Sequence, residues 1–279
     1  MASRVIPIKT LHLFPVLNDL LISLLKSLSA EDWNRPTIAP LWTVKDIAAH
    51  LLDTNMRSVS SADNYSGRKP ENIRSYDDLL NYLNELNATW VKAMERVSPQ
   101  QLIALLETTN ARYVEYLGSL DPFTPAKFSV AWAGEQQSAN WFHIAREYTE
   151  KWHHQQQIRV AVNKPGLMNR ELFYPCMDTF MRGLPYTYRN EAAEAGTLIE
   201  INISGEAGGT WYLRKAGDSW ELKEYEEQNG PDASVTISPD IAWRVFTKGI
   251  KPAQAVEQSE LAGNTAFAKR VFSMIAVMA

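Results

Sequence analysis

The sequence predicts an α+β protein of two domains, a helical bundle over residues 1–166 and a small α+β domain over 167–279. Three observations point there. At 279 residues the chain exceeds the roughly 100 to 200 residues of one typical domain. Its first half repeats leucines at helical spacing, and beyond Pro165-Gly166 short segments alternate with period 2 between glycines. A composition of 45% hydrophobic and 22% charged residues is that of a chain able to bury two cores.

Residues 9–28 read as a first helix, with Leu13, Leu17, Leu20, Leu21, Leu24 and Leu25 on one face. His12, Pro15, Asn18, Asp19 and Lys26 interrupt the apolar run, so it is read as an amphipathic helix and not as a signal peptide. Pro36 and Pro40 break the chain, and Thr43 stands as the N-cap of a second helix from Val44. Ser75 with Asp77 and Asp78 starts a third, running to about Val97, and Ser98-Pro99 sets the start of a fourth to about Leu120. A loop from Asp121 to Gln136 leads into a long helix over 138–162, which Asn163-Lys-Pro-Gly closes. One further helix spans about Arg170 to Arg182. Alternating segments at Thr197–Ile203, Thr210–Arg214, Trp220–Tyr225 and Ala233–Ile237, with turns at Gly205, Gly208-Gly209, Gly217-Asp218 and Gly230-Pro231, predict antiparallel hairpins. Ser238-Pro239-Asp240 caps a helix, and a last one is expected from Asn264 to Met278.

A net charge of −4 without any cluster of Lys and Arg argues against a nucleic-acid partner. No run of 18 apolar residues offers a membrane span. The lone Cys176 has no partner for an internal disulfide, which suits a cytoplasmic protein, and its neighbours Phe173, Tyr174 and Met177 read as the packing around an inert thiol.

Three of the five histidines fall in the long helix, in the string His143-Ile-Ala-Arg-Glu-Tyr-Thr-Glu-Lys-Trp-His-His154. At about 100° per residue, His143, Glu147, Glu150 and His154 form one polar stripe. Glu150 and His154 at i and i+4 can reach one ion from consecutive turns, although an isolated pair of this kind is more often a solvated helix face. His50 lies among Ile47, Ala48, Leu51 and Leu52, where a buried imidazole needs either a hydrogen-bond partner or a metal. Inward residues of two helices in a bundle can converge, and two imidazoles with one carboxylate leave a position open for water or substrate. His153 points about 100° away from His154 and is not expected to ligate.

The string Leu41-Trp-Thr-Val-Lys-Asp-Ile-Ala-Ala-His-Leu carries a W-[ST]-x-x-[DE]-x-x-x-H-[LI] signature, and Arg146 to Arg159 carries E-x-x-x-H. Together they resemble the DinB-like superfamily and, within it, the mycothiol-dependent maleylpyruvate isomerase group. Residues 172–279 resemble that group's second domain, which is similar to sterol carrier proteins. The resemblance implies a DinB-like four-helix bundle, a divalent metal, usually zinc, on His50, Glu150 and His154, and a low-molecular-weight thiol as cosubstrate. His143 and Glu147 are expected to orient the ligands. Where the group often has an acidic residue, three positions after the second ligand histidine, this chain has Gln157.

The leading expectation is a thiol-dependent transferase or isomerase acting on a small electrophilic substrate, in which the metal lowers the pKa of the bound thiol. Two alternatives stand beside it. One is a lipid- or small-molecule-binding module with Trp211, Trp220 and Trp243 around a pocket. The other is a hydrolase using metal-bound water. The open side of the metal is expected to face the second domain, with Arg270 as a candidate cation for an anionic substrate.

Overall fold

A computed structural model of the chain describes residues 4–65, 67, 73–224 and 230–277. They form two compact units. The first comprises Thr10–Thr124 and Glu150–Gly166, and the second comprises the described N-terminal segment to Lys9, Pro125–Thr149 and the chain from Leu167 onward. After Gly166 the described chain remains in the second unit.

In the first unit a 3₁₀ turn, Leu11–Leu13, leads into α1 (Phe14–Lys26). Helix α2 (Val44–Ala62) starts at a capping box in which Thr43 and Asp46 satisfy each other's backbone N–H. Ser75 and Asp78 start α3 (Tyr76–Met94) in the same way, and the Ser98 hydroxyl caps α4 (Pro99–Ser119). Helix α5 (Asn140–Ala161) belongs to this unit from Glu150 on, and it stops where Asn163 takes the left-handed conformation, φ 52°. One core receives Leu21, Leu24 and Leu25 from α1, Val44, Ile47, Ala48 and Leu51 from α2, Leu102 and Leu106 from α4, and Ile158 from α5. Helix α3 lies against α2, where Trp90 donates its indole N–H to the Ala49 carbonyl at 2.8 Å.

The second unit is the α+β part. Helices α6 (Arg170–Met181) and α7 (Leu184–Tyr188) precede the strands β1 (Leu198–Ile203), β2 (Gly209–Ala216), β3 (Ser219–Lys223) and β4 (Ala233–Ile237). They are followed by α8 (Pro239–Phe246), α9 (Pro252–Glu257), β5 (Glu260–Gly263) and α10 (Thr265–Arg270). The sheet order is β3-β2-β1-β4-β5, antiparallel except between β1 and β4. Alternation decides the faces: Ile199, Ile201 and Ile203 of β1 are buried, and they stand in register with Leu213, Trp211 and Gly209 of β2 and with Ala233, Val235 and Ile237 of β4. Phe173, Phe180, Trp243, Phe246 and Phe272 are fully buried in the same unit.

The α+β class and the two hairpins agree with the sequence expectation, while three short elements, α7, α9 and β5, were not legible. The helices span five and six residues, too few to show a period. Strand β5 is an edge strand ending at Gly263, where φ is +67° and an added Cβ would strike the Asp232 carbonyl. The last helix is shorter than expected. It ends at Arg270, passes through a 3₁₀ turn at Val271–Ser273 and becomes extended at Met274. Leaving the helix allows the Ala276 N–H to reach the Phe246 carbonyl at 2.9 Å while Met274, Ala276 and Val277 are buried. Tyr225 and Met278, the expected ends of a strand and of that helix, lie outside the described residues. No helix among the described residues is long and apolar enough to cross a membrane.

Candidate metal centre

The capping box at Thr43 fixes where α2 begins, and two turns later the helix presents His50 on its buried side. The C-terminal part of α5 presents Glu150 and His154 one turn apart. One side-chain donor atom from each of the three residues lies within 4.8 Å of the others. The Glu150 Oε2 and His154 Nε2 atoms are 3.5 Å apart, close to the roughly 3.3 Å expected between two donors that share a tetrahedral zinc at about 2.0 to 2.1 Å. The imidazoles of His50 and His154 meet edge to face with centroids 4.7 Å apart.

The protonation state of His50 suits ligation. Burial first, and then the neighbouring His154, hold the His50 imidazole well below the ordinary histidine value. His50 is therefore neutral near pH 7, and its buried Nδ1 has no hydrogen-bond partner among the described residues. A buried, unpaired ring nitrogen is costly unless something outside the chain occupies it. His154 is placed from its other side. Its Nδ1 lies 2.9 Å from Oε1 of Gln157, which can only accept, so Nδ1 donates to it and Nε2 is the ring nitrogen turned toward the Glu150 carboxylate. At 3.5 Å the His154 Nε2 and Glu150 Oε2 atoms are placed to share a cation. The donor set, two imidazoles with one carboxylate, is one that could hold a divalent ion.

Trp42, half-buried, covers both imidazoles, with ring centroids 4.8 Å from His50 and 5.8 Å from His154. Sequence reasoning quoted Trp42 within a motif but gave it no task, and the Gln157 contact was likewise unassigned. His153 is buried with its ring 4.0 Å from that of His154, and it is outside the three-donor group.

His143 and Glu147 lie on the part of α5 that belongs to the second unit, and they are outside the three-donor group as well. Both contact Arg146, whose Nη2 donates to His143 Nδ1 at 2.7 Å and to Glu147 at 2.6 Å. Arg270 pairs with Glu191 at 3.0 Å and donates to the Thr187 carbonyl. Trp211, Trp220 and Trp243 are buried, each with its indole N–H bonded, to Asp178, the Glu191 carbonyl and Asp240 respectively. Cys176 is fully buried in α6.

A polar network beneath the centre ties its helices together. Lys151, only 3% exposed, donates to Asn55 Oδ1 at 2.7 Å and stands 4.6 Å over the Tyr113 ring. Asn55 in turn donates to Asn110 at 2.8 Å and Thr109 at 3.0 Å. The network joins α2, α4 and α5 next to His50 and Glu150. Replacing Asn55 with Leu removes a charge-assisted bond and leaves Asn110 and Thr109 without its amide. A loss of about 2 kcal/mol is expected, measurable as a lower urea midpoint with unchanged slope; an unchanged midpoint would show that the network carries no stability.

The model of the mycothiol maleylpyruvate isomerase N-terminal domain family matches residues 17–159, a span that contains all three donors. The chain belongs to this family. Among solved structures, one titled as the mycothiol-dependent maleylpyruvate isomerase is similar over 90% of this chain and 91% of that one, with a TM-score of 0.54 at 10% identity. A histidine-to-alanine mutant of that isomerase gives a TM-score of 0.50 with the same coverage and identity. At that identity the likeness is one of fold: the helical N-terminal region and the five-stranded sheet with its helices follow the isomerase architecture. A comparison with curated proteins finds no match.

Proposed function

We propose that this member of the maleylpyruvate isomerase family is a metal-dependent enzyme that uses a low-molecular-weight thiol to isomerise, or transfer sulfur to, a small electrophilic substrate. The observation that carries the reading is the convergence of His50, Glu150 and His154 inside the segment that matches the family. On this reading α1, α2, α4 and α5 form a DinB-like four-helix bundle, the chain divides into domains at 166/167, and the three residues hold one divalent ion, zinc by its preference for such a donor set. A divalent ion held there supplies positive charge that favours the ionised form of a thiol. The chain's own residues do the rest. Neutral His50 and the Glu150 carboxylate provide donors, Gln157 turns His154 toward the same point, and Trp42 gives the centre an apolar wall that limits water. Buried Cys176 cannot reach a substrate, so the sulfur has to come from a cosubstrate.

Elemental analysis of the purified chain should give one divalent ion per chain. Calorimetric titration should then show binding of mycothiol, bacillithiol or glutathione, and turnover of maleylpyruvate should require both that thiol and the metal. Ester or amide cleavage that is metal-dependent but indifferent to thiol would replace this reading with that of a hydrolase. Binding of apolar ligands without any turnover would leave a carrier module.

A further inference from the structure

We propose that Gln157 is a positioning residue of the metal centre: its carboxamide fixes the tautomer and orientation of His154 and, being neutral, leaves the loaded centre with a net positive charge that favours an anionic incoming ligand. The proposal rests on the metal reading above. Both residues are buried, which strengthens the 2.9 Å contact between His154 Nδ1 and Gln157 Oε1. Gln157 stands one turn after His154 on α5 and Glu150 one turn before it, so the imidazole is held at both edges. The edge facing Gln157 Oε1 donates to it, which leaves Nε2 as the edge turned toward Glu150 Oε2, at 3.5 Å. Nε2 is thus the nitrogen a metal would take, placed in the protein before any ion arrives.

The choice of an amide matters separately from its geometry. A carboxylate at position 157 would accept the same hydrogen bond, but it would add a negative charge one residue away from the ion. With two neutral imidazoles and Glu150 as the only carboxylate among the donors, a dication keeps a single positive charge. A carboxylate beside His154 would cancel it. The amide therefore gives up some ligand basicity and retains attraction for a thiolate or a carboxylate-bearing substrate.

Two measurements on the full-length chain test this. In metal-free protein labelled with ¹⁵N-histidine, with the resonance identified by its absence from His154→Asn, His154 should carry a proton on Nδ1; a proton on Nε2 with none on Nδ1 would overturn the proposal. Gln157→Leu should weaken zinc, measured by chelator competition, by about 10- to 100-fold, whereas Gln157→Glu should bind zinc at least as tightly as the original. In cobalt-loaded protein, Gln157→Glu should weaken azide binding about tenfold through the lost charge. Zinc affinity unchanged in Gln157→Leu would remove the positioning role, and azide affinity unchanged in Gln157→Glu would remove the charge role. Neither result touches the metal reading, which fails instead if the unsubstituted chain binds no zinc.

Discussion

Replacing His154 with alanine is expected to empty the metal centre: bound zinc should fall from one ion per chain to about a tenth of that or less, and thiol-dependent turnover should fall to background. Loss of one of three protein donors leaves His50 and Glu150, on different helices, to hold an ion that structural and catalytic zinc sites bind with three or four. The fold should survive. The substitution removes the partner of the Gln157 carbonyl, a buried acceptor worth about 1 to 3 kcal/mol when left unpaired, against a typical domain stability of roughly 5 to 15 kcal/mol. Far-ultraviolet dichroism should therefore stay helical while elemental analysis reports the loss. His50→Ala should behave alike, because its donor comes from the other helix. Full occupancy in either variant would show that the ion is held elsewhere, or that the polar stripe on α5 is no metal site.

Much of the helical half can be read from sequence because its starts are chemical. Thr43 with Asp46 and Ser75 with Asp78 form capping boxes, and Asn163 ahead of Pro165-Gly166 takes the positive φ that ends α5. The three donors were legible for a related reason, since helical spacing alone puts Glu150 and His154 together, and the matched motif supplies His50. Gln157 and Trp42 were not, because a glutamine or a tryptophan on a helical chain has many uses and only its neighbour in space selects one. The C-terminal tail was misread for a physical reason as well. Its Met and Ala residues favour a helix while Val271, Ser273, Ile275 and Val277 do so only weakly, and the Phe246 carbonyl offers the Ala276 N–H a partner that a continued helix would forgo. Tertiary hydrogen bonding outweighed local preference there.

Acid should destabilise the protein through His143. Burial is the main cause that lowers this imidazole to about 4, with Glu147 opposing the shift and Arg146 adding to it. The geometry explains the direction: Arg146 Nη2 donates to His143 Nδ1 at 2.7 Å, a bond that needs a lone pair and is lost on protonation, while Glu147 at 3.8 Å is itself engaged by the same guanidinium at 2.6 Å. The contact between His143 and Glu147 is therefore not an ion pair near neutrality. In the unfolded chain His143 takes up a proton near the ordinary value of about 6.5, while in the folded chain it resists until about 4. Between those values the unfolded state binds more protons, so stability is fully present above about 6.5 and falls as pH drops toward 4. The shift corresponds to about 3 kcal/mol over that window. Urea denaturation of the metal-free chain between pH 7.5 and 4, set against His143→Gln, isolates this contribution: glutamine can accept from Arg146 but cannot titrate, so carboxylates and the other histidines contribute equally to both curves. The difference between the two proteins should be constant above pH 7 and should change by about 3 kcal/mol by pH 4, with the glutamine variant less acid-sensitive. Parallel curves would mean that His143 titrates alike in both states, and a histidine form that gains stability on acidification would make the contact with Glu147 a true ion pair.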